Sequence, residues 1–227
     1  MRCRIGTWAV CSSLVAFVIA GCGGGASDNG VSAKSADGIV SAAIGAINSA
    51  TSAHISGSEV NGGTPVTMNL DLVAGKGGRG EVSEGGQRIS IEVVGNEVYM
   101  SGNDAFWARV FPSAAVKQLH GKWLKASAAG QFASIAQLTD LRGLADTLLK
   151  TNGALVKSGT KTIDGQDAVG VTDAKKGGTL YVATTGKPYP LELLGGGAQG
   201  ADITLSGFNR PVTLTAPADI IDVSQLK

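Results

Sequence analysis

The chain has 227 residues, 43% of them hydrophobic and 16% charged, with a formal charge of +1. That near-neutral balance removes the electrostatic case for nucleic acid or a polybasic membrane patch, and its 34 glycines lack the three-residue period of a collagen-like fibre. All three cysteines, Cys3, Cys11 and Cys22, fall within the first 22 residues, so the remainder has no disulfide or thiolate metal site to stabilise it.

Arg2 and Arg4 precede an apolar run from Trp8 to Ala20. This charge order reads as a secretory signal, and the run is short of the roughly 20 residues of a membrane span. It ends in Ile19-Ala20-Gly21-Cys22. Small residues there admit a peptidase, and the Cys22 thiol is the only neighbouring side chain able to form a thioether to diacylglycerol. The stretch resembles the bacterial lipoprotein lipobox. Residues 1–21 are therefore read as a signal peptide and residues 22–33 as a lipidated, flexible, glycine-rich tether, with one domain over 34–227. Without Arg2 and Arg4, 17 basic residues face 18 acidic ones, a net charge near −1. Such a protein is exported and held on the outer face of the cell membrane by its acyl chains, palmitate among them, and two or three chains make that anchoring stable.

Lys34 to Ala50 has helical spacing, with Ile39, Val40, Ala43, Ile44 and Ile47 on one face and Asp37 as cap or first-turn residue. Short strands follow over His54–Val60, Thr64–Ala74, Arg79–Glu84, Gln87–Val94 and Glu97–Met100, joined by glycine turns as in an antiparallel meander. From about Asn103 to Lys150 the pattern turns helical, starting at Asp104 as a possible N-cap, interrupted at Pro112, and including Gln131–Leu138 and Leu141–Lys150. Lys122–Lys125 reads as a brief extended segment. Strands resume at Ala154–Ile163, Gln166–Thr172, Thr179–Thr184, Tyr189–Leu194 and Ala201–Phe208, with Val212–Thr215 as a final short one. The fold class is α+β. A strongly curved antiparallel sheet of about ten strands, a half-barrel enclosing the helices, would bury the apolar faces of both.

The side chains give little sign of chemistry. His54 and His120 have no local acidic or cysteine partner in a zinc spacing, and read as surface or helix-end residues. The serines lack a GxSxG elbow, and the glycine-rich segments lack the endings of phosphate-binding loops. No carboxylate pair is nominated, so a non-enzymatic role with no cofactor and no metal is expected. Trp107, with Phe106 and Phe111, either plugs the core or borders an apolar cavity. The lining of such a cavity would come from Ile89, Ile91, Val93, Val169, Val171, Leu191, Leu193, Ile203 and Leu205. Burial of about 0.8 kcal/mol per CH₂ is enough for lipid affinity without charged groups.

Thr162-Ile163-Asp164-Gly165-Gln166-Asp167-Ala168 precedes Thr179 to Leu193, which contains Thr185-Gly186-Lys187-Pro188. This strand–turn–strand with its TGxP turn resembles the LolA-like superfamily, and within it the actinobacterial LppX/LprA/LprF/LprG group of lipoproteins. Asn96 to Gly102, Phe106-Trp107, Gly121-Lys122-Trp123-Leu124 and Ile203 to Val212 resemble that group's central and final segments. The resemblance implies a half-barrel sheet around helices with a cavity for diacyl or triacyl lipid or lipoglycan cargo. It also implies a role in moving or presenting envelope lipids, in some members near an exporter, and no catalytic residues. A monomer with this cargo and a possible envelope transporter as partner is the expectation. The alternative is an envelope lipoprotein that uses the same fold to bind another protein, as a sensor or assembly factor.

Overall fold

The computed structural model describes residues 27–151, 153–175, 177–196 and 200–226. Cys22 and the signal segment lie outside the described residues.

Helix α1 (Ala36–Asn48) starts where the Ser35 hydroxyl accepts the Gly38 N–H, with Asp37 in the first turn. A side-chain acceptor there satisfies a backbone donor that the helix cannot. Strands β1 (Ser52–Asn61), β2 (Thr64–Val73), β3 (Gly77–Glu84), β4 (Gln87–Val94) and β5 (Glu97–Gly102) follow. The β1–β2 turn places Gly62 and Gly63 at φ 56° and 86°, where a side chain would be strained and a two-residue hairpin matches the strand twist. Helix α2 (Asp104–Val110) is capped by Asn103, one residue before the expected Asp104, and α3 (Ser113–Leu119) follows Pro112. Then come β6 (Trp123–Ser127), α4 (Ala133–Leu138) and α5 (Leu141–Leu148), the last capped by Asp140. Strands β7 (Leu155–Ile163), β8 (Gln166–Asp173), β9 (Thr179–Ala183), β10 (Pro190–Leu194) and β11 (Ala201–Ser206) complete the second half, with a final β12 (Ile220–Asp222).

These form one α+β layer arrangement. Twelve strands run in the order β12-β6-β5-β4-β3-β2-β1-β11-β10-β9-β8-β7. All described pairings are antiparallel except β12 with β6, which is parallel, so the sheet is mixed. The expected strongly curved half-barrel of about ten strands is not what forms. The order is an open line whose outer strands, β12 and β7, do not meet, and the sheet is neither closed nor strongly curled. The buried apolar residues show why it need not curl. They divide into one cluster under α1 and α5, with Ile39, Ile47, Leu72, Leu141 and Leu180, and another under α2–α4, with Ile91, Met100, Trp107, Leu119 and Leu124. Two helix groups cover separate stretches of sheet, and alternation along the strands buries one face wherever a helix lies.

Two long connections span the sheet. The segment from β6 to β7 carries α4 and α5 across the helix-covered face. The segment after β11 crosses the opposite, polar face. There Arg79 Nη1 donates to the Thr213 carbonyl at 3.2 Å and Glu92 Oε1 accepts the Thr215 N–H at 2.6 Å. Val212–Thr215 is therefore not the expected strand; the strand forms further on, as β12 beside β6.

The two ends of the sheet differ. One carries the β2–β3, β4–β5, β7–β8 and β9–β10 turns, since Val73 pairs with Gly77, Val94 with Glu97 and Pro190 with Val182. The other carries the β1–β2 and β3–β4 turns, where Asn61 pairs with Thr64 and Glu84 with Gln87. Residues 28–33, expected within the flexible tether, are docked against the sheet, from the first end inward. Asp28 bridges Thr185, and the Asn29 N–H donates to the Thr184 carbonyl at 2.8 Å. Asn29 Nδ2 donates to the Ala183 and Gly186 carbonyls at 3.0 and 3.1 Å. Val31 is 1% exposed in the first apolar cluster, and Lys157 Nζ donates to the Ser32 carbonyl at 2.7 Å.

Candidate functional site

An apolar cavity of about 380 Å³ lies between β3–β4 and helices α2 and α4. Its walls are Val82, Ile89, Ile91, Phe106, Ile135 and Leu138. Alternation on β4 turns Ile89 and Ile91 toward the helices, and α2 and α4 supply the facing wall. The rim is polar: Glu84, Gln87 and Arg109 ring the opening, with Arg109 Nη1 donating to Gln87 Oε1 at 3.1 Å. Arg109 makes no ion pair among the described residues. Val110, 45% exposed, adds an apolar lip.

A second cavity of about 350 Å³ lies beneath α1 and α5, between Val40, Leu148, Val171, Leu180, Leu193 and Ile203. Glu59, Lys150 and Asp173 stand at its margin. Both cavities reach the sheet end that carries the β1–β2 and β3–β4 turns.

The sequence-expected lining residues are thus split between two places. Ile89 and Ile91 line the first cavity, and Val171, Leu193 and Ile203 the second. Val93 and Trp107 lie within the packed cluster beside the first, and Val169 and Leu205 within the cluster around the second. Trp107 packs edge-on to Phe106 and tilted to Phe111, with ring centroids 4.9 and 5.9 Å apart. Leu191 falls elsewhere. A bulge between Pro190 and Glu192 shifts the register of β10 and places Leu191 with Ala168 and Ala183 in a small separate cluster. Phe106, expected either in the core or at a cavity border, lines the first cavity, whereas Val82, Arg109, Ile135 and Leu138 were not expected as lining. The apolar spacing of Phe106 with Val110, and of Ile135 with Leu138, was the available signal, since residues three and four apart share a helix face.

Both histidines do have acidic partners, brought to them by the fold. His54 Nδ1 lies 2.9 Å from Asp71 Oδ1, directly across β1–β2, and Arg79 Nε is 3.5 Å from Asp71 Oδ2. His120 Nδ1 lies 2.9 Å from Asp104 Oδ1, joining the end of α3 to the start of α2, and that bond raises the imidazole pKa above its ordinary value. On the polar face, Lys125 and the Tyr99 hydroxyl bond Glu97 and hold its carboxyl below the usual carboxylate range. No cluster of three or more potential metal ligands occurs among the described residues.

No known family profile and no curated protein matches this chain. Solved structures do. The crystal structure of LprF from Mycobacterium bovis is similar at a TM-score of 0.55, with 18% identity over 81% of this chain and 97% of that one. The likeness is one of fold. An uncharacterized conserved protein from Thermus thermophilus, at 12% identity, covers 82% of this chain and 98% of its own with a TM-score of 0.38. A LolA superfamily protein from Nitrosomonas europaea, at 11% identity, covers 79% and 96% with a TM-score of 0.24. Those two scores are too low to carry an argument, whereas LprF shares the arrangement of sheet and helices described above.

Proposed function

We propose that this chain is an exported, non-enzymatic lipoprotein that binds the acyl part of an envelope lipid or lipoglycan in the cavity between β3–β4 and α2/α4. The observation that carries the reading is the cavity itself: about 380 Å³, apolar along its walls and polar only at its rim. Ligand sites usually span roughly 300–1,000 Å³ with this division between apolar lining and a few polar groups. Acyl methylenes entering it gain about 0.8 kcal/mol each before the costs of binding, while Arg109 offers an unpaired cation to a polar or anionic head. The shared fold of LprF and the lipobox-like Cys22 support the same reading. The membrane is then the first partner, through the acyl chains on Cys22, and an envelope transporter is a second.

The test is extraction and mass spectrometry of lipid from the purified chain, with displacement of a fluorescent fatty-acyl probe. Ile135→Trp, at a half-buried wall position, fills the cavity and should weaken probe binding at least tenfold with an unchanged circular dichroism spectrum. Equal affinity in the folded variant, with no co-purifying lipid in the wild type, would sink the carrier reading. For the anchor, Cys22→Ala should leave the membrane fraction; retention there through the same acyl modification would refute it.

A further inference from the structure

The docked segment ahead of α1 limits how the domain stands on its membrane. We propose that the chain faces its anchoring bilayer with the sheet end that carries the β9–β10 turn, so that both cavity mouths point away from that bilayer. The occupant of that end is the headgroup surface of the membrane holding the acyl chains; the inference rests on acylation of Cys22.

Two observations converge. First, the stretch between the lipidation site and the clamp is short. Asp28 and Asn29 are fixed to Ala183–Gly186 and Val31 is buried, so only six residue steps separate Cys22 from the first fixed residue. Six steps reach about 20 Å at full extension. Second, the mouths are far from the clamp. Glu84 and Gln87 at one mouth, and Glu59 and Leu194 at the other, lie at the opposite end of the sheet. The nine residues of β7 span roughly 26 Å of that separation, more than the full reach of those six steps. Charge adds little, since Lys76, Lys187 and Arg210 at the clamped end stand beside Asp28, Asp164 and Asp167. The short reach is what holds that end down. Cargo then enters and leaves on the side away from the anchoring leaflet, by way of an acceptor approaching from outside.

The experiment uses the full, acylated chain in vesicles of phosphatidylglycerol and phosphatidylcholine that carry a headgroup-attached quencher. A dye is placed at Lys187→Cys or at Asn61→Cys, an exposed turn position at the cavity end. Quenching should be several-fold stronger at 187 than at 61; equal or reversed quenching overturns the pose. Asn29→Ala with Val31→Ser frees the clamp and should shrink the difference between the two positions while the protein still floats with vesicles. An unchanged difference overturns the role of the clamp. Mass spectrometry of the mature chain and flotation are read first: an unacylated protein that does not float refutes the Cys22 reading, and the pose falls with it, whereas an acylated, floating protein without the asymmetry refutes the pose alone.

Discussion

Among the described residues, the indole N–H of Trp107 is the buried side-chain donor left without a hydrogen-bond partner. Trp107 is also fully buried and braces α2 against β4 and β5, so its two parts act in opposite directions on stability. Trp107→Ala should cost about 3–5 kcal/mol in urea unfolding. Trp107→Phe keeps most of the ring and discards a donor whose unpaired burial costs about 1–3 kcal/mol, so it should cost less than half as much; equal losses would show the donor to be satisfied. His120 gives a second test. The Asp104 bond raises its pKa above 6.5, so the stability it contributes is complete below the unfolded value and is lost as pH rises through the folded one. An NMR titration should show the His120 midpoint fall in Asp104→Asn. At this scale, alternation on β4 made Ile89 and Ile91 legible. Leu191 was not legible, because a bulge interrupts the count by twos that placed it with Leu193. The pairing of His54 with Asp71 follows from the two-residue turn at Gly62–Gly63, which sets them opposite one another.

The helices and strands were legible where spacing and punctuation agreed. The stripe Ile39, Val40, Ala43 and Ile47 is buried as the 3.6-residue period requires, and of the two roles open to Asp37 it takes the first-turn one, Ser35 being the cap. Gly45 sits within this helix on an exposed face, with open space where a Cβ would stand. Gly45→Ala should therefore raise stability by about 1 kcal/mol, read as an increase in Tm. Val212–Thr215 was misread because four residues rich in Val, Leu and Thr carry strand propensity with no account of their neighbours. Between Pro211 and Pro217 this segment crosses the strands, and its polar backbone groups are met by Arg79 and Glu92 instead of a ladder. Glu92→Ala should accelerate hydrogen exchange at the Thr215 amide and leave the β4 amides unchanged.

For the molecule as a whole, the α+β class followed from the sequence because buried faces leave periodic marks in each segment. The bend of the sheet leaves no such mark. Period two records which face is covered, and the same pattern serves a wrapped sheet over one helical core and an open sheet under two. The division of apolar residues into two clusters depends on where α4 and α5 cross, which is a matter of long-range packing. The open form also leaves two outer strands to be managed. One, β12, is three residues long. The other, β7, has a bulge between Ser158 and Thr160, with Lys157 drawn to the Ser32 carbonyl and Lys161 to Glu192. Short length, bulges and lysines are the features that stop a sheet edge from recruiting another strand. Copies anchored to one membrane, as the proposed function has them, would meet in two dimensions, where edge-to-edge stacking is favoured. The blunted rims of this sheet would keep such neighbours from polymerising.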